Sequence, residues 1–386
     1  MTSPLDNVNP VALPVASVNR NAQPAAFGLP VQAREHADKQ LPSPEHVPVY
    51  PLPACPKMRE KFFAQACREG DEAKVQRLLK AAPRLIDCPN YGSLLRHAVV
   101  KGNRGLVDLL LECKKSDPDA YTFFLDHASK TATEKGDIAM VRGLLDKSAA
   151  VQDDRDSLLI RAVLFEHKEL VEFLLQEGAN IDTDDGVMTP LLCALKHDDD
   201  LCMRYLLKKG ADPNRRPANT GTPPLAWASS HGELAKVKIL LEAGALVDKG
   251  AYEGATPLAL AVQKSDEDVV RHLLHNGADV NAACEPSEAP LYKAVAKNRL
   301  ELSKILLDKG AAPDLRCEQE VEETPLMLAV QRRNHLLVEL LVKHGADIHK
   351  TGPEGFTALE IAVRAGDEEI VAMLRKKAAR PQPAGR

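Results

Sequence analysis

The stretch HNGADVNAA, His275 to Ala283, supports two readings. Asn276-Gly277 is a dipeptide that favours a tight hairpin turn. Asp279 and Asn281 offer side-chain oxygens at alternate positions, as a cation loop does. Copies elsewhere in the chain decide between them. The pattern returns as QEGANID from Gln176, KKGADPN from Lys208, EAGALVD from Glu242, DKGAAPD from Asp308 and KHGADIH from Lys343. A stretch that recurs is explained by its period before it is explained as a site.

Working outward, each copy aligns on an alanine set in an apolar neighbourhood: Ala66, Ala98, Ala132, Ala162, Ala194, Ala228, Ala261, Ala294, Ala329 and Ala362. Successive intervals are 32, 34, 30, 32, 34, 33, 33, 35 and 33 residues. Nine positions after this anchor alanine stands valine in eight of ten copies, with Met203 and Ser303 as the exceptions. Three residues later comes leucine in all ten, from Leu78 to Leu374. Each copy decodes into two helices. In TPL, Thr256 is a natural N-cap and Pro257 occupies the first helical position, where no amide donor is needed. Val270, Leu273 and Leu274 then form one apolar stripe on a second helix, and Gly277 adopts the left-handed conformation that ends it. Asp279 and Asn281 become turn formers that satisfy nearby backbone amides. Two short helices cannot bury a core alone, so neighbouring copies must stack.

This period and these letters resemble the ankyrin repeat family, whose unit is a β-hairpin finger followed by two antiparallel helices. GATPLALA (Gly254 to Ala261), EETPLMLA (Glu322 to Ala329) and GFTALEIA (Gly355 to Ala362) are the clearest helix starts. The expected fold class is therefore an all-α repeat solenoid of about ten stacked ankyrin repeats over residues 58–378. Two departures stand out. The family's histidine after T-P-L is replaced by Leu192, Ala226, Ala259, Tyr292, Met327 and Glu360, and the third unit, from Tyr121, has no T-P-L at all.

Composition frames the repeat. Of the 27 prolines, eleven fall in residues 1–57, with Phe27 and Tyr50 as the only aromatics there. Such a segment buries too little surface to offset its ordering entropy and is expected to be a disordered arm. Its PVYP (Pro48 to Pro51) and PACP (Pro53 to Pro56) stretches read as an inert spacer or a proline-motif ligand. Residues 379–386 form a short basic, proline-containing tail. The net charge of -5 argues against direct nucleic-acid binding and against adhesion to an anionic membrane. Eight cysteines without a C-x-x-C pair read as reduced thiols. The expected location is the cytoplasm, or the nucleus if the run Arg375, Lys376, Lys377 and Arg380 serves as an address.

Sites of other chemistry are absent from the sequence. No phosphate loop, nucleophile elbow or H-E-x-x-H helix occurs. Asn180, Asp182 and Asp184 imitate an EF-hand start, but Asp185 stands where glycine is needed and Leu191 where the closing glutamate is needed. His272 and His275 share a helical face without a third ligand, and Trp227 takes the slot of Leu260 and Leu328 and reads as core. No catalytic, metal or cofactor-binding residue is assigned. The resemblance implies a non-catalytic scaffold or adaptor, expected as a monomer, that binds another protein through a groove lined by fingers and first helices. An enzyme with residues dispersed over the repeats and a nuclear regulatory adaptor are the alternatives. The expected partner site lies in units seven to nine: Tyr252, Glu253, Lys264, Glu285, Glu288, Tyr292, Lys297, Glu320, Glu322, Glu323 and Arg332.

Overall fold

The anchor alanines show why the chain stacks. In the computed structural model, which describes residues 55–148, 151–251, 254–282, 289–314 and 323–379, all ten are buried to 1% exposure or less. A methyl side chain lets neighbouring helices approach closely, and a larger group would strain the packing by about 1–3 kcal/mol. The leucine twelve positions on is buried in every unit, and so is the residue at the ninth except Val371, which is partly buried. Ser303 replaces valine there without an unpaired hydroxyl, because its Oγ donates to the Arg299 carbonyl at 2.8 Å.

Ten helix pairs follow. The first four are α1 (Pro56–Glu69) with α2 (Glu72–Ala81), α3 (Tyr91–Lys101) with α4 (Arg104–Glu112), α5 (Pro118–Lys135) with α6 (Ile138–Leu145), and α7 (Val151–Leu164) with α8 (Lys168–Gln176). Units five to seven are α9 (Pro190–Lys196) with α10 (Asp200–Lys208), α11 (Pro224–His231) with α12 (Leu234–Glu242), and α13 (Pro257–Lys264) with α14 (Glu267–His275). The last three are α15 (Pro290–Ala296) with α16 (Leu300–Asp308), α17 (Pro325–Gln331) with α18 (His335–Lys343), and α19 (Ala358–Ala365) with α20 (Glu368–Ala378). First helices pack against first helices in one row, and second helices line up behind them. Helix α1 begins at Pro56, slightly ahead of the expected boundary at 58.

The caps are periodic too. Thr189, Thr256, Thr324 and Thr357 each accept an amide hydrogen bond at the start of a first helix, as the T-P-L pattern predicts. Second helices are capped by Asp71, Asn103, Asp137, Asp199, Asp266, Asn334 and Asp367. The turn between the two helices passes through a left-handed residue in every unit. It is glycine in half of them and Glu166, Asp198, Ser265, Asn298 or Arg333 in the rest.

Two features depart from the expectation. Among the described residues no strand forms, and Thr351–Thr357 is a lone antiparallel bridge. Fingers persist as tight turns closed by single hydrogen bonds, such as Ala251 N–H to Ala255 O and Gly352 N–H to Phe356 O, both 3.0 Å. In addition, α5 runs for 18 residues, because Asp117 caps it and Pro118 starts it where a finger would stand. That helix places Phe123 on the surface, 65% exposed.

The opening stretch resolves into two roles. Gly277, at φ 86°, ends α14. Asp279 accepts the Asn281 amide at 2.9 Å, a local turn. Asn281 instead reaches the next unit: its Oδ1 accepts the Ala312 amide at 2.8 Å and its Nδ2 donates to the Gly310 carbonyl at 3.4 Å. The corresponding residues repeat this ladder. Asp182 accepts from Asp212, Asn214 from Leu246, Asp248 from Asp279 and Asp314 from Asp347. In the EF-hand lookalike, Asp184 accepts the Gly186 and Ala218 amides and Asp185 accepts those of Val187 and Met188. Those oxygens serve the backbone.

Candidate partner-binding face

A first helix buries one side and leaves the other bare. In α13 the buried residues are Pro257, Leu258, Ala259, Ala261 and Val262, so Leu260, Gln263 and Lys264 share the side turned away from the core. Their spacing of three and four residues is one helical face. The same geometry gives Lys293, Ala296 and Lys297 around α15, and Leu328, Gln331 and Arg332 around α17. Three expected site residues, Lys264, Lys297 and Arg332, therefore stand exposed at the C-terminal ends of consecutive first helices. Tyr292 is half-buried on α15, and Glu323, also half-buried, accepts a hydrogen bond from Gln331 Nε2. Tyr252, Glu253, Glu285, Glu288, Glu320 and Glu322 lie outside the described residues.

The cations also serve the helix ends. Lys297 Nζ donates to the Gln263 carbonyl at 2.7 Å, and Lys135 Nζ does the same to the Val100 carbonyl in the second unit. Each ammonium thus offsets the negative end of the preceding unit's helix. Lys293 Nζ bonds the Gln263 side chain at 3.1 Å, which ties α15 to α13.

Trp227, whose apolar slot reads as core, is partly buried and packs against the core from its edge. It immediately precedes a buried alanine and keeps part of its surface accessible on the outward side of α11. Its ring stacks on His231 with centroids 3.9 Å apart. Lys236 Nζ lies 5.7 Å from the ring centroid, is buried, and pairs with Asp198 and with Glu233, the latter at 3.2 Å. Burial works against that charge, yet the hydrogen bonds of Asp198 and Glu233 hold Lys236 above the usual lysine range. Hydrogen-bonded to Lys236, Asp198 is correspondingly held below the usual aspartate range.

Two clefts open on the described surface. The larger, about 420 Å³, is lined by Lys130, Asp156, Arg161, Leu164, Asp184 and Asp185 and lies beside the extended helix α5. The sequence singled out Asp184 and Asp185 only as an imitation of a cation loop and did not bring them together with α5 and α7. The smaller, about 160 Å³, is bounded by Glu323, Met327, Gln331, Phe356 and Arg364. Burial pushes the Cys67, Cys193 and Cys202 thiols up to about 12, which leaves them protonated and weakly nucleophilic. None of them lines either cleft. Among the described residues no three His, Cys, Asp or Glu side chains cluster as metal ligands, and no helix is long and apolar enough to cross a membrane.

Comparison with known proteins agrees with the geometry. A family model described as ankyrin repeats (3 copies) matches residues 129–217, 216–284 and 291–383. The chain is similar to "Ankyrin repeat protein nuc-2" of Neurospora crassa, 31% identical over 188 residues, which is 46% of this chain and 17% of that protein. It is also similar to "2-5A-dependent ribonuclease" of Homo sapiens, 40% identical over 79 residues, or 20% of this chain and 10% of that one. The chain thus spans less than a fifth of the length of either relative. Among solved structures, the ankyrin repeat domain of Bcl-3 superposes with a TM-score of 0.50 at 26% identity, covering 57% of this chain and 97% of that domain.

Proposed function

The chain belongs to the ankyrin repeat family, and from that premise we propose that it is a non-catalytic scaffold or adaptor that engages a partner protein through the outward face of its first helices. Ankyrin repeats are general protein–protein interaction modules. One observation carries the reading for this chain. Lys264, Lys297 and Arg332 occupy equivalent outward positions in three consecutive units, on a frame whose core does not use them. Aromatic and cationic groups on a preformed frame are what interface anchors require. We place the centre of the site in units seven to nine and its action in the cytoplasm or nucleus, with the protein as a monomer.

The test compares two variants of the full chain by affinity capture and mass spectrometry. One carries Lys264→Glu, Lys297→Glu and Arg332→Glu. The other alters His272 and Lys304, which lie on the second-helix row. Loss of specific partners from the first variant alone, at an unchanged melting temperature, is the expected result. A first variant that keeps both its melting temperature and its partners refutes the site.

A further inference from the structure

Two positions on the outward face of the later units carry cations and no carboxylate, while Glu360 stands exposed on α19 and Glu323 lies beside the start of α17. In units five to ten the second and third positions after the anchor alanine are Lys196 and His197, Ser230 and His231, Gln263 and Lys264, Ala296 and Lys297, Gln331 and Arg332, and Arg364 and Ala365. They hold no carboxylate, although the chain as a whole is acidic at -5. Lys196, Lys264, Lys297 and Arg332 form no ion pair among the described residues. Beside this cationic row runs an apolar one. In units six to ten the residue before the anchor is Trp227, Leu260, Leu328 or Ile361, each partly buried with an accessible edge, with Lys293 interrupting.

We propose that this strip receives an extended acidic segment of a partner protein, its carboxylates along Lys196, Lys264, Lys297 and Arg332 and an aromatic or branched aliphatic side chain against Trp227 and Leu260. The proposal rests on the partner-binding reading above and adds the chemistry of the partner. Packed helices lie about 8–10 Å apart, and an extended chain advances about 3.3 Å per residue. A carboxylate at roughly every third residue therefore meets in turn the cations of units seven, eight and nine. Lys297 already donates one proton to Gln263, and its ammonium has others for an incoming carboxylate. Trp227 is held for contact: His231 stacks on its ring, and its carbonyl accepts from Ser230 Oγ at 2.8 Å.

Trp227 is the only tryptophan in the chain, so its fluorescence reports the strip directly. Random short peptides displayed on phage are selected against the full chain, and the enriched peptides are then synthesised and titrated. The expected pool is rich in Asp and Glu with interspersed Leu, Ile, Phe or Trp-isosteric apolar residues. Binding shifts Trp227 emission to the blue and protects it from iodide quenching. Replacing the peptide's acids by amides, or the protein's Lys264, Lys297 and Arg332 by Glu, weakens binding by at least about tenfold. Since Lys297 also caps a helix end, Lys297→Gln combined with Lys264→Gln and Arg332→Gln is measured beside it, each variant with its melting curve. An unenriched pool, a neutral or basic pool, an unmoved Trp227 signal, or equal competition by oligothymidylate overturns the proposal. Loss of partners in the capture experiment together with a non-acidic pool would remove the acidic segment while leaving the partner-binding face intact.

Discussion

Changing Asp248 to Asn is expected to stabilise the array by supplying a hydrogen bond that two sister positions already make. In the ladder between units, Asn214 and Asn281 accept an amide with Oδ1 and donate with Nδ2 to the carbonyls of Gly244 and Gly310, at 3.3 and 3.4 Å. Asp248 turns both oxygens to the Asp279 amide, at 3.1 and 3.2 Å, and has nothing to donate to the Gly277 carbonyl opposite. Burial, together with the nearby Asp279 charge, raises the Asp248 pKa above its ordinary 3.8, although the hydrogen bond from Asp279 offsets part of this. A carboxylate whose folded pKa is raised contributes most stability when protonated and loses it as pH climbs through the carboxylate range, so at neutral pH the ionised form is a cost. Asparagine removes that cost and adds one hydrogen bond worth about 0.5–1.5 kcal/mol. Spread over an array of this size the gain is a rise of roughly 2 °C in melting temperature. The assay is urea denaturation at pH 7 and near pH 4, with hydrogen exchange at the Asp279 amide as the local readout. The gain should be present at pH 7 and smaller at the acidic end. A destabilised D248N at pH 7, or a gain of equal size at both pH values, would refute the reasoning.

Three further outcomes follow from the same frame. Glu166 holds φ 59° where five sister units use glycine, so Glu166→Gly should stabilise by up to about 1 kcal/mol, read as a higher urea midpoint. Arg299 precedes α16 without a side-chain cap, and Arg299→Asp should add a cap worth about 1 kcal/mol, visible as slower exchange in the first turn of that helix. His335 donates to Asp367 at 3.0 Å and lies 2.9 Å from Glu369. The Asp367 hydrogen bond raises its pKa above the ordinary 6.5. Its contribution is therefore full below pH 6.5 and is lost as pH rises through the folded value. Melting curves of His335→Ala should lie closer to wild type at pH 8 than at pH 6.

The periodic part of this molecule was legible because each periodic residue has one physical job. The anchor alanine, the valine and leucine of the second helix and the threonine cap are fixed by close packing and by orphan amides, and they recur wherever those constraints recur. The turn residues were half legible. Asp279 bonds within its own turn as expected, but Asn281 bonds to the next unit, a contact that no single repeat contains. Trp227 was read in part: it packs against the core as expected but keeps an accessible outer edge. Apolar identity at its position, shared with Leu260 and Leu328, suggested core, whereas all three keep part of their surface accessible beside a buried alanine. Helix α5 was not legible, since nothing in a missing T-P-L says that a longer helix replaces the finger.

These departures locate the information that a partner can read. Positions that repeat are spent on stacking, so a partner contacting only those would find the same surface at every unit and no preferred register. Register must come from residues that break the period. Trp227 at the centre of the outward face is one, Lys293 interrupting the apolar row is another, and the cleft beside α5 is a third. Stability and recognition are thereby carried mostly by different residues, with Lys297 serving both. Solenoid energetics are local, a sum of unit and neighbour terms, so a variant at a ladder position should change exchange in two adjacent units. A variant at Lys264 or Arg332 should change partner affinity while leaving exchange in the core untouched, because neither side chain lies in the buried core.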